Sequence, residues 1–383
     1  MYLKSLHLRS FRNYTDRQIE FTAKKTILVG NNAQGKSNLL EAVELLASLK
    51  SHRTSRDREL VLDSADVGLV EATVERAYGT SQLSIMLRKQ GRRTVAVNRE
   101  TLRRQLDFLG LLNAVQFSSL DLDLVRGAPD SRRSWLDGLL IQLEPVYSSI
   151  LQQYNQVLKQ RNALLKKIRA ASHEDSSKSI EDYEPELRLW DEQLAAAGSR
   201  VTRRRARVLA RLAPIAQTWH KRISGETELL EIDYLPNVEW TEDDPVKVQQ
   251  AFLTEIKQHR TIEQRYQGKT MVGTHRDRIE FTINQTPARY YGSQGQQRTL
   301  VLALKLAELK LIEEVVGEPP LLLLDDVLAE LDPNRQKQLL EVIGDRFQTI
   351  ITTTHIDTFD RDWTKDSQIL AVEAGQISEV LLN

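Results

Sequence analysis

Short runs of alternating apolar and polar residues dominate the chain from Met1 to about Gly91. Examples are LKSLHL, KTILVG, VGLVEATVE and QLSIMLR, and one helical stretch begins among them at Lys36. A period of two is typical of β-strands that bury one face. The first part of the chain is therefore predicted to be rich in strands.

Beyond Val146 the apolar residues recur every three, four or seven positions, which is typical of amphipathic helices. The pattern runs from Tyr147 to Ile168, with Arg161 in one of the skipped places, and resumes from Leu187 to Val201. A polar segment, residues 172–182, separates the two runs. Two long helices around a polar loop predict an antiparallel helical hairpin.

Strand and helix patterns alternate in the remainder of the chain. Strands are predicted at 229–235, 279–283, 321–324 and near 349–354, and helices at 245–264, 294–316 and after Pro333. Such alternation is what an α/β sheet requires. The prediction is one α/β domain made from both chain ends, residues 1–145 and 265–383, with a mainly helical inserted domain at 146–264.

Composition narrows the possible functions. Among 383 residues, 53 Lys and Arg balance 53 Asp and Glu, which excludes a uniformly polybasic nucleic-acid binder. The absence of cysteine excludes disulfides, thiolate zinc sites and cysteine nucleophiles. Lys4 and Arg9 interrupt the apolar positions at the N-terminus, so no signal peptide is expected. We expect a cytoplasmic, globular protein without a membrane partner.

The segment GNNAQGKS fits the phosphate-binding pattern G-x-x-x-x-G-K-[ST] and lies between a predicted strand and a predicted helix. In such a loop, backbone N–H groups face a phosphate, the lysine adds a positive charge and the serine hydroxyl ligates Mg²⁺. The candidate nucleotide-binding residues are Gly30, Asn31, Asn32, Ala33, Gln34, Gly35, Lys36 and Ser37.

Two further segments complete a possible ATPase site. In LLLLDD, a continuous apolar run is followed by two aspartates. Asp325 is a candidate Mg²⁺ ligand, and Asp326 is a candidate to orient or deprotonate the attacking water. The alternative for both is an ordinary turn. SQGQQ opens a long helix with Ser293 and Gln296 as a capping box, while Gly295 weakens the first turn and suits close approach of a phosphate.

The order GNNAQGKS, SQGQQ, LLLLDD, VLAELD and TTTH resembles the ABC-type ATPase heads of SMC-like proteins, and most closely the RecF family. LRSFRNY, VRGAPDSRRSWLD, VGTHRD and GSQGQQRTLVLALKLAEL extend the resemblance over essentially the whole chain. It implies a weak, DNA-stimulated ATPase that uses ATP and Mg²⁺ and forms an ATP-dependent homodimer. It also implies binding to single-strand/double-strand junctions and gapped duplex in recombinational repair, with RecR and RecO as partners.

The resemblance also assigns roles to residues. Lys36 and Ser37 match the phosphate and Mg²⁺ contacts, Asp325 the metal-side acid and Asp326 the hydrolytic acid. Ser293, Gly295 and Gln296 match the signature that meets the partner subunit's nucleotide. Asp332 matches the loop that closes across the dimer, and His355 matches the switch histidine. Arg12 and Asn13 match a nucleotide-side contact, and Gln116 matches a metal-contacting glutamine. The sequence departs from the family at Thr274 and Arg278, which leaves the role of residues 273–277 open.

A possible DNA surface lies in the predicted insertion. Arg200, Arg203, Arg204, Arg207 and Arg211 recur at helical spacing, in a stretch without acidic residues between Glu192 and Glu226. The absence of local counter-charges favours phosphate contact, and a solvated charged face is the alternative. Two rival functions remain at this point: the ATPase subunit of a membrane transporter, and a DNA scaffold with ATP as a structural ligand.

Overall fold

The computed structural model describes residues 1–171, 180–328, 331–356, 359 and 361–380. The strands are β1 (Tyr2–Phe11), β2 (Tyr14–Glu20), β3 (Lys25–Val29), β4 (Val67–Arg76), β5 (Gly79–Arg88), β6 (Thr94–Val97), β7 (Glu100–Thr101), β8 (Ala114–Phe117), β9 (Leu230–Leu235), β10 (Arg278–Ile283), β11 (Thr286–Pro287), β12 (Leu321–Asp325), β13 (Thr349–Thr353), β14 (Ser367–Glu373) and β15 (Gln376–Glu379). The α-helices are α1 (Lys36–Ser48), α2 (Asp123–Arg126), α3 (Pro129–Leu143), α4 (Val146–Ala171), α5 (Glu184–Ile223), α6 (Pro245–Ile262), α7 (Ala288–Tyr291), α8 (Gln294–Val316), α9 (Pro333–Ile343) and α10 (Arg361–Lys365).

A sheet with the strand order β15-β14-β3-β13-β12-β8 forms the centre of the α/β part. All neighbours except β15 and β14 are parallel. The four leucines of β12 are fully buried, which confirms the prediction of a buried parallel strand. Parallel strands end at the same edge, so the segments that follow β3, β12 and β13 come together there.

A second, antiparallel sheet has the order β2-β1-β4-β5-β6-β7. Its apolar side chains form one core with α1 and one face of the central sheet, while α8 packs in the core on the opposite face. Helix α1 is thus held between the two sheets. The loop that precedes it is fixed in position because both sides of the helix are packed.

The insertion is built on α5, which packs against α4, α6, α8 and β9. Helix α5 continues through Pro214, although proline cannot donate a backbone hydrogen bond inside a helix. Of the polar segment predicted at 172–182, residues 172–179 lie outside the described residues. The observed architecture confirms the predicted fold class, an α/β head with a helical insertion. The boundaries at residues 146 and 264 stay a prediction.

Arg205 joins the insertion to the head. Its guanidinium donates to both carboxylate oxygens of Asp137 on α3, at 2.8 and 2.9 Å, and to Asp277 just before β10, at 3.1 Å. It also donates to the carbonyl oxygen of Thr274 at 2.7 Å. These contacts explain why an arginine lies among the buried apolar residues of α5, and they give Asp277 of the 273–277 loop a structural role.

Candidate functional site

The loop between β3 and α1 has the backbone shape of an anion cradle. Ala33 and Gly35 have φ values of +63° and +119°. Residues with positive φ turn successive N–H groups toward the same concave side, where they can bind a phosphate. A Cβ on Gly35 would lie 2.7 Å from the Asn13 side-chain nitrogen, so the close approach of Asn13 adds to the need for glycine.

Neighbouring segments hold this loop in place. Asn13 donates through Nδ2 to the carbonyl oxygen of Gln34 at 2.9 Å, and the Tyr14 hydroxyl donates to that of Gly35 at 2.9 Å. The turn after β14 donates as well, from the backbone N–H of Gly375 to the Gln34 carbonyl at 3.0 Å. Asn31, Asn32 and Ala33 remain exposed at the tip. Asn13 therefore holds the P-loop in place, and its contact with the nucleotide stays a prediction.

Ser37 and Asp325, separated by 288 positions in the sequence, meet at the edge of the central sheet. The Ser37 hydroxyl donates to Asp325 Oδ1 at 2.7 Å, and the Thr352 hydroxyl donates to the same oxygen at 2.9 Å. Lys36 is buried and donates through Nζ to the carbonyl oxygens of Gly30 and Asn31 at 2.7 and 3.0 Å. A hydroxyl and a carboxylate beside a cationic, N–H-lined loop are oxygen donors that fit Mg²⁺ with a bound phosphate.

Asp326 begins the turn after β12 and has an unusual conformation. Its φ is +54°, a region in which residues other than glycine store strain and which is frequent at functional sites. Its backbone N–H donates to the Thr352 hydroxyl at 2.9 Å. Burial and the nearby Asp325 raise the pKa of Asp326, while Lys36 opposes the shift. A carboxylate with a raised pKa is a better proton acceptor than an ordinary aspartate.

His355 follows β13 at the same edge of the sheet, where its side chain is exposed. Its backbone is fixed by the Thr353 hydroxyl, which accepts from the His355 N–H at 3.2 Å and lies 3.0 Å from the His355 carbonyl oxygen. The sheet therefore brings three of the predicted site segments to one edge: the P-loop, Asp325 with Asp326, and the segment that ends at His355.

The SQGQQ segment caps α8 as the sequence predicts. The Ser293 hydroxyl accepts from the Gln296 N–H at 3.2 Å, and the Gln296 side chain accepts from the Ser293 N–H at 2.8 Å. A Cβ on Gly295 would meet its nearest neighbour, Arg335 Nη2, at 3.4 Å, an ordinary contact. Packing within the chain therefore does not require glycine at this position, and its predicted role toward a phosphate stays a prediction.

Arg335 connects the signature to the predicted closing loop and was not identified from the sequence. It donates from Nε to the Thr299 hydroxyl at 2.9 Å, and its guanidinium pairs with Asp332. The Asp332 carboxylate also accepts from the Arg335 N–H at 3.1 Å. An arginine three positions after an aspartate is too common a pattern to single out, so only the tertiary contact reveals it.

Two further assignments concern Arg12 and Gln116. Arg12 makes two hydrogen bonds to the buried Glu41 on α1, at 2.6 and 2.8 Å, and donates to the carbonyl oxygen of Glu59. Gln116 pairs with Leu323, two positions before Asp325 on the adjacent strand. Both amide atoms of Gln116 are buried without a hydrogen-bond partner among the described residues. A nucleotide contact by Arg12 and a metal contact by Gln116 stay predictions.

The arginine stripe on α5 has counter-charges that the sequence pattern does not show. Arg203 and Arg207 both pair with Asp243, at 2.5 and 2.6 Å, and Arg204 pairs with Glu144 at 2.9 Å. The inference from missing local acids is therefore wrong, because the fold brings acids from distant segments. Arg200 and Arg211 are exposed, and DNA contact by the stripe stays a prediction.

In the described part of the chain, no helix combines the length and apolar character needed to cross a membrane.

The family model for the RecF/RecN/SMC N-terminal domain matches residues 2–377. The DNA replication and repair protein RecF of Gloeothece citriformis is 68% identical over 99% of this chain and 100% of its own length. That of Trichormus variabilis is 69% identical over 99% of this chain and 98% of its own.

Solved structures similar to this chain point to the same family. The recombination mediator protein RecF of the RecFOR pathway, in its RecF-ATP form, has 33% identity and a TM-score of 0.88, covering 99% of this chain and 98% of its own. The Smc head domain from Pyrococcus furiosus, 16% identical with a TM-score of 0.55 over 100% of this chain and 96% of its own, shares the fold alone. The chain therefore belongs to the RecF family of DNA replication and repair proteins, within the RecF/RecN/SMC group of ATPases.

Proposed function

We propose that this protein binds ATP with Mg²⁺, dimerises in response, and in that form binds gapped or junction DNA during recombinational repair. The observation that carries the proposal is the meeting of Ser37 and Asp325 at 2.7 Å beside the anion cradle. It joins the two halves of an ATPase site from opposite ends of the chain. Family membership supports the same reading, since a RecF relative has been solved as RecF-ATP.

The P-loop amides and Lys36 would hold the phosphates, and Ser37 with Asp325 would hold Mg²⁺, which neutralises phosphate charge when bound. Thr352 fixes the orientation of Asp325 by donating to its Oδ1, so this oxygen points toward Ser37. Lys36 gives up two backbone acceptors when it turns to a phosphate, and the stronger charged contact offsets that loss.

Asp326 would accept the proton of an attacking water, and its raised pKa suits that role. An aspartate reaches one methylene less far than a glutamate, so we expect slow hydrolysis that resets the dimer. His355, exposed at the end of β13, would contact the nucleotide phosphates at this edge of the sheet. Hydrolysis is therefore proposed as a timing step rather than as a source of mechanical force.

Dimerisation would complete the site. The side-chain hydrogen bonds described for Ser293 and Gln296 join these residues to each other, and Ser293 is exposed at the positive end of α8. That arrangement leaves the helix end available to the nucleotide of a second copy. Asp332, held beside it through Arg335, would move with the signature as one unit.

DNA binding is proposed for the α5 stripe, with Arg200, Arg207 and Arg211 as its most exposed members. Arg203 is largely covered by its pairing with Asp243 and would contribute less unless that pair opens. Membership in the family, together with the RecFOR pathway named for solved relatives, supports RecR and RecO as partners.

Lys36→Ala tests the proposal. Calorimetric titration with Mg-ATP should show binding by the unaltered protein and at least about tenfold weaker binding by the variant, since a charged hydrogen bond contributes roughly 1.5–3 kcal/mol. Lys337→Ala, at a largely exposed lysine on α9, is the matched control and should bind normally. Unchanged affinity in Lys36→Ala, with both variants folded by circular dichroism, would refute the nucleotide site.

A further inference from the structure

A groove of about 960 Å³ lies on the side of the head where the insertion begins. It is bounded by the end of α1 at residues 48–50, by residues 92–95 and 102–106 around β6 and β7, and by the start of α4 at residues 146–152. We call this the basic groove. None of the nucleotide-site residues lines it, so it is a separate feature of the surface.

The charge of the basic groove is one-sided. Its described lining contains five cationic residues, Lys50, Arg92, Arg93, Arg103 and Arg104, and no carboxylate. Arg93 pairs with Asp57 and Arg104 with Asp107, both outside the lining. No ion pair is described for the other three, which are exposed. In a protein of zero net charge, this concentration of positive charge is a local feature that favours an anionic ligand.

The floor of the groove is apolar. Leu49, Leu102 and Leu106 are only partly buried, and Val146 is 50% exposed at the first turn of α4. Among the described lining residues there is no aromatic side chain. Single-stranded nucleic acid is usually held by stacking of its bases on aromatic residues, so aliphatic side chains below a basic rim suit it poorly.

We propose that the basic groove binds an acidic amphipathic peptide segment of a partner protein. Carboxylates of the segment would pair with Lys50, Arg92 and Arg103 at the rim, and its apolar side chains would cover Leu106 and Val146 on the floor. The volume accommodates a few peptide side chains, as in other peptide and small-molecule sites. The occupant would touch both the end of the P-loop helix and the base of the insertion.

The probe is a labelled peptide of about twelve residues, at most about 40 Å long when extended, in which each leucine is flanked by aspartates. Fluorescence anisotropy with the full chain should show binding that weakens as salt rises. The same peptide with serine in place of leucine, and a gapped duplex oligonucleotide that contains both single-stranded and double-stranded DNA, serve as competitors. Both should displace the probe far less effectively than the unlabelled peptide.

Two variants test the two parts of the groove. Arg92→Glu combined with Arg103→Glu should weaken peptide binding at least about tenfold, because each substitution replaces attraction by repulsion. Val146→Asp should have a similar effect through the floor. Arg58→Glu combined with Arg265→Glu, at exposed arginines outside the groove, is the matched control and should bind normally.

Three results would overturn the proposal: no peptide binding by the unaltered protein, equal loss in the control variant, or displacement by the oligonucleotide better than by the unlabelled peptide. The last result would make the groove a nucleic-acid surface. ATP titration of the same variants keeps this test separate from the nucleotide site, since the groove variants should bind ATP normally.

Discussion

Replacement of Arg205 by leucine should destabilise the protein strongly, because this arginine neutralises two buried carboxylates at the joint between head and insertion. The side chains of Arg205, Asp137 and Asp277 are 4%, 10% and 1% exposed. Removing one partner of a buried ion pair typically costs roughly 3–5 kcal/mol, because the remaining charge is left without a partner. Leucine is shorter than arginine, so the space left by the buried guanidinium adds a cavity cost to that of the unpaired carboxylates.

Arg203→Leu is the matched control, two positions away on the same helix. Its ion pair with Asp243 involves a carboxylate that is 44% exposed, and pairs of this kind contribute about 0–1 kcal/mol. Urea unfolding followed by circular dichroism should therefore place the midpoint of Arg205→Leu well below that of Arg203→Leu. The latter should lie close to the unaltered protein.

Acidic pH supplies a second readout. Burial raises the pKa of Asp277 even with Arg205 present, and loss of the arginine should raise it further. A carboxyl whose pKa is higher in the folded state than in the unfolded state binds more protons when folded, so its contribution to stability increases as pH falls. The deficit of Arg205→Leu should thus shrink below neutral pH. Equal midpoints for the two variants, or a deficit that does not change with pH, would refute this account of the joint.

Three further predictions concern function. Ser293→Arg should leave ATP binding by the monomer nearly normal but prevent ATP-dependent dimerisation, which sedimentation with ATP can check; a variant that still dimerises would contradict the composite site. Arg200→Gln combined with Arg211→Gln, the exposed members of the stripe for which no ion pair is described, should reduce the slope of log affinity for duplex against log salt by about two units if both contact phosphates, and an unchanged slope would return the stripe to a solvated face. Burial raises the pKa of Asp326, and this carboxyl must be ionised to accept a proton. As the pH is lowered, the ATPase rate should therefore begin to fall above the usual aspartate pKa of about 3.9. A rate that falls only at or below that pH would exclude Asp326 as the base.

Local patterns in the sequence determined much of this protein. A strand of continuous leucines, a glycine-containing loop before a helix and a capping box at Ser293 each depend on neighbouring residues only. The fold class, the limits of α8 at Gln294 and Val316 and the strand at LLLL were therefore predictable from the chain itself. The order of the motifs was also enough to indicate the family.

Contacts between distant segments were decided by the tertiary structure alone. The partners of Arg205, the pairing of Asp243 with Arg203 and Arg207, and the link from Arg335 to Thr299 all join residues 36 or more positions apart. A run of arginines without nearby acids looks unpaired in the sequence because charge acts through space, over a few ångströms, and not along the chain. Folding sets those distances, so it decided which arginines are structural and which remain available to a ligand.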